Sequence, residues 1–324
     1  MMKIENAGKG VPVIPLMGFP GIQLSNTTIK ENLENAEIQY ESLKQLYKKF
    51  QPDGMFIMMD LTIEAEALGL ETLKPKNSSF TIVDHPIKSK EDLEKLKLPD
   101  INKATRMPLM QDVVKKLNKN LECDTLAYVT GPFTLTGLLQ GASAAMKNVL
   151  KKPELVKEIL EFSTKVIKAY GNSLINAGVD MICILEPTAT GLSPQQFMNF
   201  SGKYIKILEK EWEVPVILHI CGDTTMLIEK MVEINCAGIS LDYMVDLKEA
   251  DQKIPEDIMI IGNVDPVNVI AYGERNKVKE TVNKLLKDMN NRENFILSTG
   301  CDLPPDTDLD NIKYMIDLAK EFKK

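Results

Sequence analysis

The run Leu218-His219-Ile220-Cys221-Gly222-Asp223 places an imidazole and a thiol two residues apart. Side chains alternate between faces along a strand, so His219 and Cys221 point the same way and Ile220 points to the other side. Gly222 and Gly300 mark places where the backbone turns sharply beside something bulky. Cys301 follows the last apolar run of the chain. One imidazole and two thiols form a soft N/S donor set suited to zinc. Three protein ligands leave a fourth position for a substrate or another ligand, the pattern of catalytic sites. Spacing alone leaves a second reading open, a buried core histidine with two inert cysteines.

Other chemistry-bearing residues close apolar runs: Asp60, Thr130, Glu186, Asp242 and Asn263. Glu186 could reach the metal as a displaceable fourth ligand and take part in catalysis, or it could cap a loop. Asp60 and Asp242 are candidates for substrate contact, or for orienting His219, because a metal-bound histidine usually donates its other N–H to an acceptor. Either could equally be a solvated strand end. Cys123, Cys183 and Cys236 read as packing residues, with Cys183 inside Met181-Ile182-Cys183-Ile184-Leu185. His85, before Pro86, reads as structural. Met55, Met58 and Met59 read as gap-filling core.

Such residues need a scaffold that brings several strand ends together. Strands are expected at Val11–Met17, Met55–Asp60, Thr125–Thr130, Asp180–Leu185, Val214–Ile220, Ala237–Asp242, Ile258–Asn263 and Asn294–Thr299. Helices are expected between them, among others at Thr28–Phe50, Pro153–Ala177, Ser193–Glu211, Thr225–Asn235, Asn276–Asn290 and Asp308–Phe322. Ser193-Pro194 supplies an N-cap and first helical residue, and Ala177-Gly178 a stop. Strands alternating with crossover helices imply parallel pairing, and near-continuous apolar strands imply a sheet buried on both faces. The expected fold is α/β, a single (β/α)8 TIM barrel over 1–324. The alternative is an open doubly wound sheet, but its Gly-x-Gly-x-x-Gly fingerprint is not found. Residues 1–50 read as an N-terminal extension, with Val11–Met17 outside the barrel, and 69–100 as an insertion after the first barrel strand. Barrel active sites lie at the C-terminal strand edge, where the polar residues above cluster.

Composition bounds the function. The 324 residues are 44% hydrophobic and 26% charged, which is ordinary globular usage. A net charge of −7 without a basic run argues against a nucleic-acid partner. Arginine occurs only at positions 106, 275 and 292, so a site that must fork-bind several carboxylates or phosphates is poorly supplied. No secretory signal and no membrane-length apolar run is seen, and five cysteines read as a reduced set, so a cytoplasmic location is expected.

The segments Met59–Leu70 (MDLTIEAEALGL), Gly131–Gly141 (GPFTLTGLLQG), 186–190 (EPTAT), His219–Thr225 (HICGDTT), Gly262–Val267 (GNVDPV) and Ser298–Asp306 (STGCDLPPD) resemble the uroporphyrinogen decarboxylase superfamily. They are most similar to its corrinoid-dependent methyltransferase branch, which holds methylcobalamin:coenzyme M and O-demethylase methyltransferases. The resemblance runs along nearly the whole chain. It implies a (β/α)8 barrel, zinc on His219, Cys221 and Cys301, and pocket roles for Asn263 and Asp265, although Asp265-Pro266 also reads as plain turn chemistry. It further implies methyl transfer between a small substrate and cobalamin carried by a partner corrinoid protein. A methyl ether or other methylated donor is slightly favoured over a thiol acceptor. Asp60 falls where the decarboxylases place their central aspartate, but the N-terminal stretch Val11–Asn26 lacks the arginines with which they grip propionates. Decarboxylation and a non-catalytic zinc-binding subunit are the lesser readings.

Overall fold

In the computed structural model, which describes residues 10–323, the apolar runs become parallel strands. They are β1 (Gly54–Phe56), β2 (Asp124–Thr130), β3 (Met181–Leu185), β4 (Val216–Ile220), β5 (Gly238–Leu241), β6 (Met259–Val264) and β7 (Phe295–Thr299). They form one sheet in that order, each hydrogen-bonded in parallel to the next. Every strand residue is buried, which is why these segments read as unbroken apolar runs.

The segment 11–17, expected outside the barrel, runs between the two edge strands. Its backbone pairs with β7 through Ile14 N–H to the Leu297 carbonyl (2.9 Å) and Leu297 N–H to the Pro12 carbonyl (2.8 Å). On the other side the Asp53 N–H donates to the Val13 carbonyl (3.0 Å), and the Val13 N–H donates to Asp53 Oδ2 (2.8 Å). The edges of β1 and β7 are thus covered, as an exposed edge strand must be.

The main helices are α1 (Ala36–Phe50), α2 (Met107–Asn120), α3 (Pro132–Gln140), α4 (Pro153–Asn176), α5 (Lys203–Glu211), α6 (Arg275–Asp288) and α7 (Leu309–Glu321). Helices buried along one face, such as α4 with Val156, Ile159, Leu160, Val166 and Ile167 inward, cover the sheet. The helix expected over Thr28–Phe50 breaks at Asn35, whose extended backbone lets its side chain accept from Glu37 N and Ile38 N and start α1 afresh. Ser193 does cap a helix at Pro194, with Gln196 completing a capping box. Within 69–100 lie a small antiparallel ribbon, Thr72–Leu73 with Thr81–Ile82, and one short helix, Lys90–Leu93. Among the described residues no helix is long and apolar enough to cross a membrane.

The turn after β1 buries a carboxyl group. Glu64 is 1% exposed and accepts from Thr130 N (2.8 Å) and Thr130 Oγ1 (2.9 Å), and burial pushes its pKa up to about 7. A raised acid pKa means that the folded state holds its proton more tightly than the unfolded chain. The resulting stabilisation is full below the unfolded value and is lost as pH rises through about 7. The difference is on the order of 3 kcal/mol. The thermal stability of the wild type is expected to fall between about pH 4.5 and 7, and Glu64→Gln to flatten that slope. Parallel pH profiles for the two proteins would refute the assignment.

Candidate metal centre

The parallel sheet sets the carboxyl ends of β4 and β7 at one edge, and three donors meet there. His219 is the fourth residue of β4, Cys221 follows that strand, and Cys301 lies two residues beyond β7. His219 Nε2 is 3.1 Å from Cys221 Sγ, which is 3.3 Å from Cys301 Sγ. The donor atoms of the three residues all lie within 4.8 Å of one another, and they are the one such group of metal-capable side chains among the described residues. His219 is buried, while the two cysteines are half-buried. A hydrogen bond from Cys221, helped by His219, pulls Cys301 down to about 5, while Cys221 moves upward. A thiolate beside a second thiol and an imidazole is a donor set that fits zinc.

The glycines beside the cysteines behave as expected. Gly222 has φ +90°, where L side chains are strained, and a Cβ on Gly300 would lie 2.4 Å from the Tyr243 backbone nitrogen. Thr190 Oγ1 donates to the Cys221 carbonyl at 2.6 Å and so pins the chain at the metal edge.

The surroundings of the triad correct several expectations. His219 Nδ1 lies 2.9 Å from Ser240 Oγ, so neither Asp60 nor Asp242 orients the ring. Ser240 is paired in register with His219 across β4 and β5. As a short hydroxyl inside an apolar strand, it carried no signal without that register. Glu186 is not in the metal group. It is fully buried at the start of α3, where Oε2 accepts from Phe133 N (3.0 Å) and Ser201 Oγ (3.0 Å) and Oε1 accepts from Thr134 N (2.6 Å). It thereby satisfies first-turn N–H groups of α3 that have no partner within the helix.

Asp242 Oδ1 accepts from Met244 N (3.0 Å), and Asn263 Nδ2 donates to the Asp242 and Val245 carbonyls (2.8 and 2.7 Å). Both brace the loop after β5. Asp265 caps the helical turn Pro266–Ala271 through Val267 N and Asn268 N, which is the plain turn reading. His85 Nδ1 is 2.6 Å from the Leu138 carbonyl, and Cys123, Cys183 and Cys236 are packed in the core.

Asp60 does reach the site. It lines a cavity of about 360 Å³ together with Phe19, Met59, Phe80, Cys301 and Asp302. Its carboxylate is already engaged, with Oδ1 accepting from Thr62 N and Oγ1 and Oδ2 pairing with Arg106. Arg106 also pairs with Glu66 (2.6 Å) and stacks over Phe80, 4.9 Å from the ring centre. Asp302, the neighbour of Cys301, has a buried Oδ2 without a hydrogen-bond partner. Burial, then the thiolate of Cys301, pushes its carboxyl well above the ordinary range. Tyr128, stacked on Phe56 with ring centres 4.4 Å apart, is likewise pushed upward by burial and then by Asp302 and the cysteines.

The uroporphyrinogen decarboxylase family model matches residues 9–322. The chain belongs to this family. Among curated relatives it is 30% identical to a uroporphyrinogen decarboxylase of Prochlorococcus marinus, over 91% of this chain and 87% of that one. It is 32% identical to the methylcobamide:CoM methyltransferase MtbA of Methanosarcina acetivorans, over 84% of this chain and 80% of that one. A solved methyltransferase from Methanosarcina mazei superposes with a TM-score of 0.89 at 23% identity, covering 97% of this chain and 94% of that one. That likeness establishes the URO-D-type barrel fold. The expected resemblance to the methyltransferase branch is therefore met by a curated relative.

One prediction arises directly from the geometry. Ser240→Ala removes the group that fixes the His219 ring and is expected to weaken zinc binding at least about tenfold, since outer partners of metal-bound histidines typically carry 10–100-fold in affinity. Competition against a chromophoric chelator measures this. Unchanged affinity would show the brace to be idle.

Proposed function

We propose that this chain is a zinc-dependent methyltransferase that moves a methyl group between a small substrate and the cobalamin of a partner corrinoid protein. The observation that carries the reading is the convergence of His219, Cys221 and Cys301 at the strand edge. Zinc held by these residues would supply Lewis-acid chemistry, binding a thiol sulfur as thiolate or polarising the oxygen of a methyl ether. The protein's part is to position. Ser240 fixes the His219 ring, Thr190 pins Cys221, and the cavity beside Cys301 holds the small molecule against the metal edge.

Decarboxylation is disfavoured because, among the described residues, that cavity offers no free cation to grip carboxylates. Its nearest guanidinium, Arg106, is tied to Asp60 and Glu66. A thiol acceptor is the second reading, favoured by the likeness to the methylcobamide:CoM methyltransferase. The Asp223-Thr224-Thr225 segment does not decide the direction, because Asp223 is spent on Thr225 N (3.0 Å) and Oγ1 (2.6 Å). A partner bearing the cofactor accords with the exposed apolar side chains after β4, β5 and β6: Met226, Tyr243, Met244, Val267 and Tyr272.

The test is methyl transfer by the zinc-loaded protein, assayed with a panel of corrinoid proteins against ethers, alcohols, amines and thiols. The expected result is a change in the visible spectrum of one corrinoid protein that depends on a methyl donor or a thiol. No transfer with any pair would leave a non-catalytic zinc-binding subunit as the better reading.

A further inference from the structure

The cavity beside Cys301 is lined from the barrel by strand-end residues and from the 69–100 segment by the tip of its ribbon, where Asn77, Ser78 and Ser79 precede Phe80. The tip is anchored on both flanks. Before it, the Lys30 N–H donates to the Lys76 carbonyl (3.1 Å), and Lys74 pairs with Glu66 (2.6 Å) and Glu34 (3.4 Å). After it, Phe80 is buried under the Arg106 guanidinium, which also holds Asp60. One side chain thus joins the ribbon to the strand end that lines the same cavity.

The three residues between these anchors are exposed, and among the described residues their side chains make no hydrogen bond. They carry one primary amide and two hydroxyls, groups that can donate to an oxygen or accept from one. Asp60, by contrast, is already engaged on both oxygens. Phe19, Ile29 and Phe80 make the remainder of the neighbouring lining apolar. At about 360 Å³ the cavity lies at the small end of ligand sites, which suits a molecule of few carbons. A site that offers hydrogen bonds to one end of a small molecule discriminates against the analogue lacking that end.

We propose that the ribbon tip Asn77–Ser79 selects the substrate, by hydrogen-bonding an oxygen-bearing end of a small two-ended molecule whose other end reacts at the metal. The proposal rests on the methyltransferase reading for the reacting end alone. Hydroxyl and carboxylate oxygens share this chemistry, and the test separates them.

The probes are 2-mercaptoethanol, 3-mercaptopropionate and 1-propanethiol, which present a hydroxyl, a carboxylate and a methyl group at the far end. Each is titrated by calorimetry into the zinc-loaded protein and into the zinc-loaded Asn77→Ala/Ser78→Ala/Ser79→Ala variant. These exposed positions should tolerate alanine without loss of fold. The variant is expected to bind mercaptoethanol or mercaptopropionate at least about fivefold more weakly, the scale of one or more lost hydrogen bonds, while propanethiol stays within about twofold. The probe that loses more identifies the far end as hydroxyl or carboxylate. Zinc affinity by chelator competition should be unchanged. Equal weakening of all three thiols would show that the tip only shapes the cavity and would overturn the proposal. Unchanged binding of all three would overturn it as well and leave the metal reading standing. Binding of none of them to the zinc-loaded wild type would overturn both.

Discussion

Alanine in place of Cys221, or of Cys301, is expected to lower bound zinc from about one ion per chain to roughly none. The two Sγ atoms are 3.3 Å apart and supply two of the three donors, so either loss leaves one thiol and one imidazole. That deficit exceeds the removal of an outer partner, which alone costs roughly 10–100-fold in affinity. Methyl transfer should vanish with the metal. The fold should survive, because both cysteines are half-buried and stand outside the apolar core that holds Cys123, Cys183 and Cys236. Melting of the metal-free variants should therefore match that of the metal-free wild type to within roughly the 0.5 kcal/mol typical of peripheral substitutions. Cys183→Ala is the control. It opens a small void inside β3 and should cost stability while keeping zinc. Metal analysis by mass spectrometry alongside calorimetric melting separates these outcomes. Full zinc retention in both Cys221→Ala and Cys301→Ala would sink the site.

The strands were legible in the sequence because a parallel sheet covered on both faces must be apolar at every position. Met181–Leu185 and Val216–Ile220 are such runs and lie where expected. The meeting of His219 and Cys221 was legible because side chains two apart on a strand share a face, and the family resemblance supplied the distant Cys301. What the sequence did not carry was which polar strand end faces which partner. Glu186, Asp242, Asn263 and Asp265 all stand at the correct edge, yet each is drawn to a nearby backbone group. Those groups become neighbours only when β2 to β6 are laid side by side. The placement of Val13 beside Leu297 was hidden likewise, because the two are brought together by closure of the sheet and not by any local pattern.

The strongest consequence of that rearrangement falls on Glu186. Its carboxylate satisfies two N–H groups of the first turn of α3 and the hydroxyl of Ser201, all in the protein interior. Glu186→Ala would leave those donors unpaired. At about 1–3 kcal/mol for each of these three groups, destabilisation of at least about 3 kcal/mol is expected. Glu186→Gln keeps an acceptor for one N–H but turns an amide donor toward another, so an intermediate loss of about 1–2 kcal/mol is expected. Zinc affinity of both variants, measured at a temperature where they remain folded, should stay close to wild type, because the carboxylate serves the helix and not the metal. A fourth ligand would give the opposite pair of results, with weaker zinc binding and little change in melting. Chemical denaturation together with chelator competition on the two variants therefore distinguishes a scaffold residue from a ligand, and a fall in zinc affinity without loss of stability would return Glu186 to the metal.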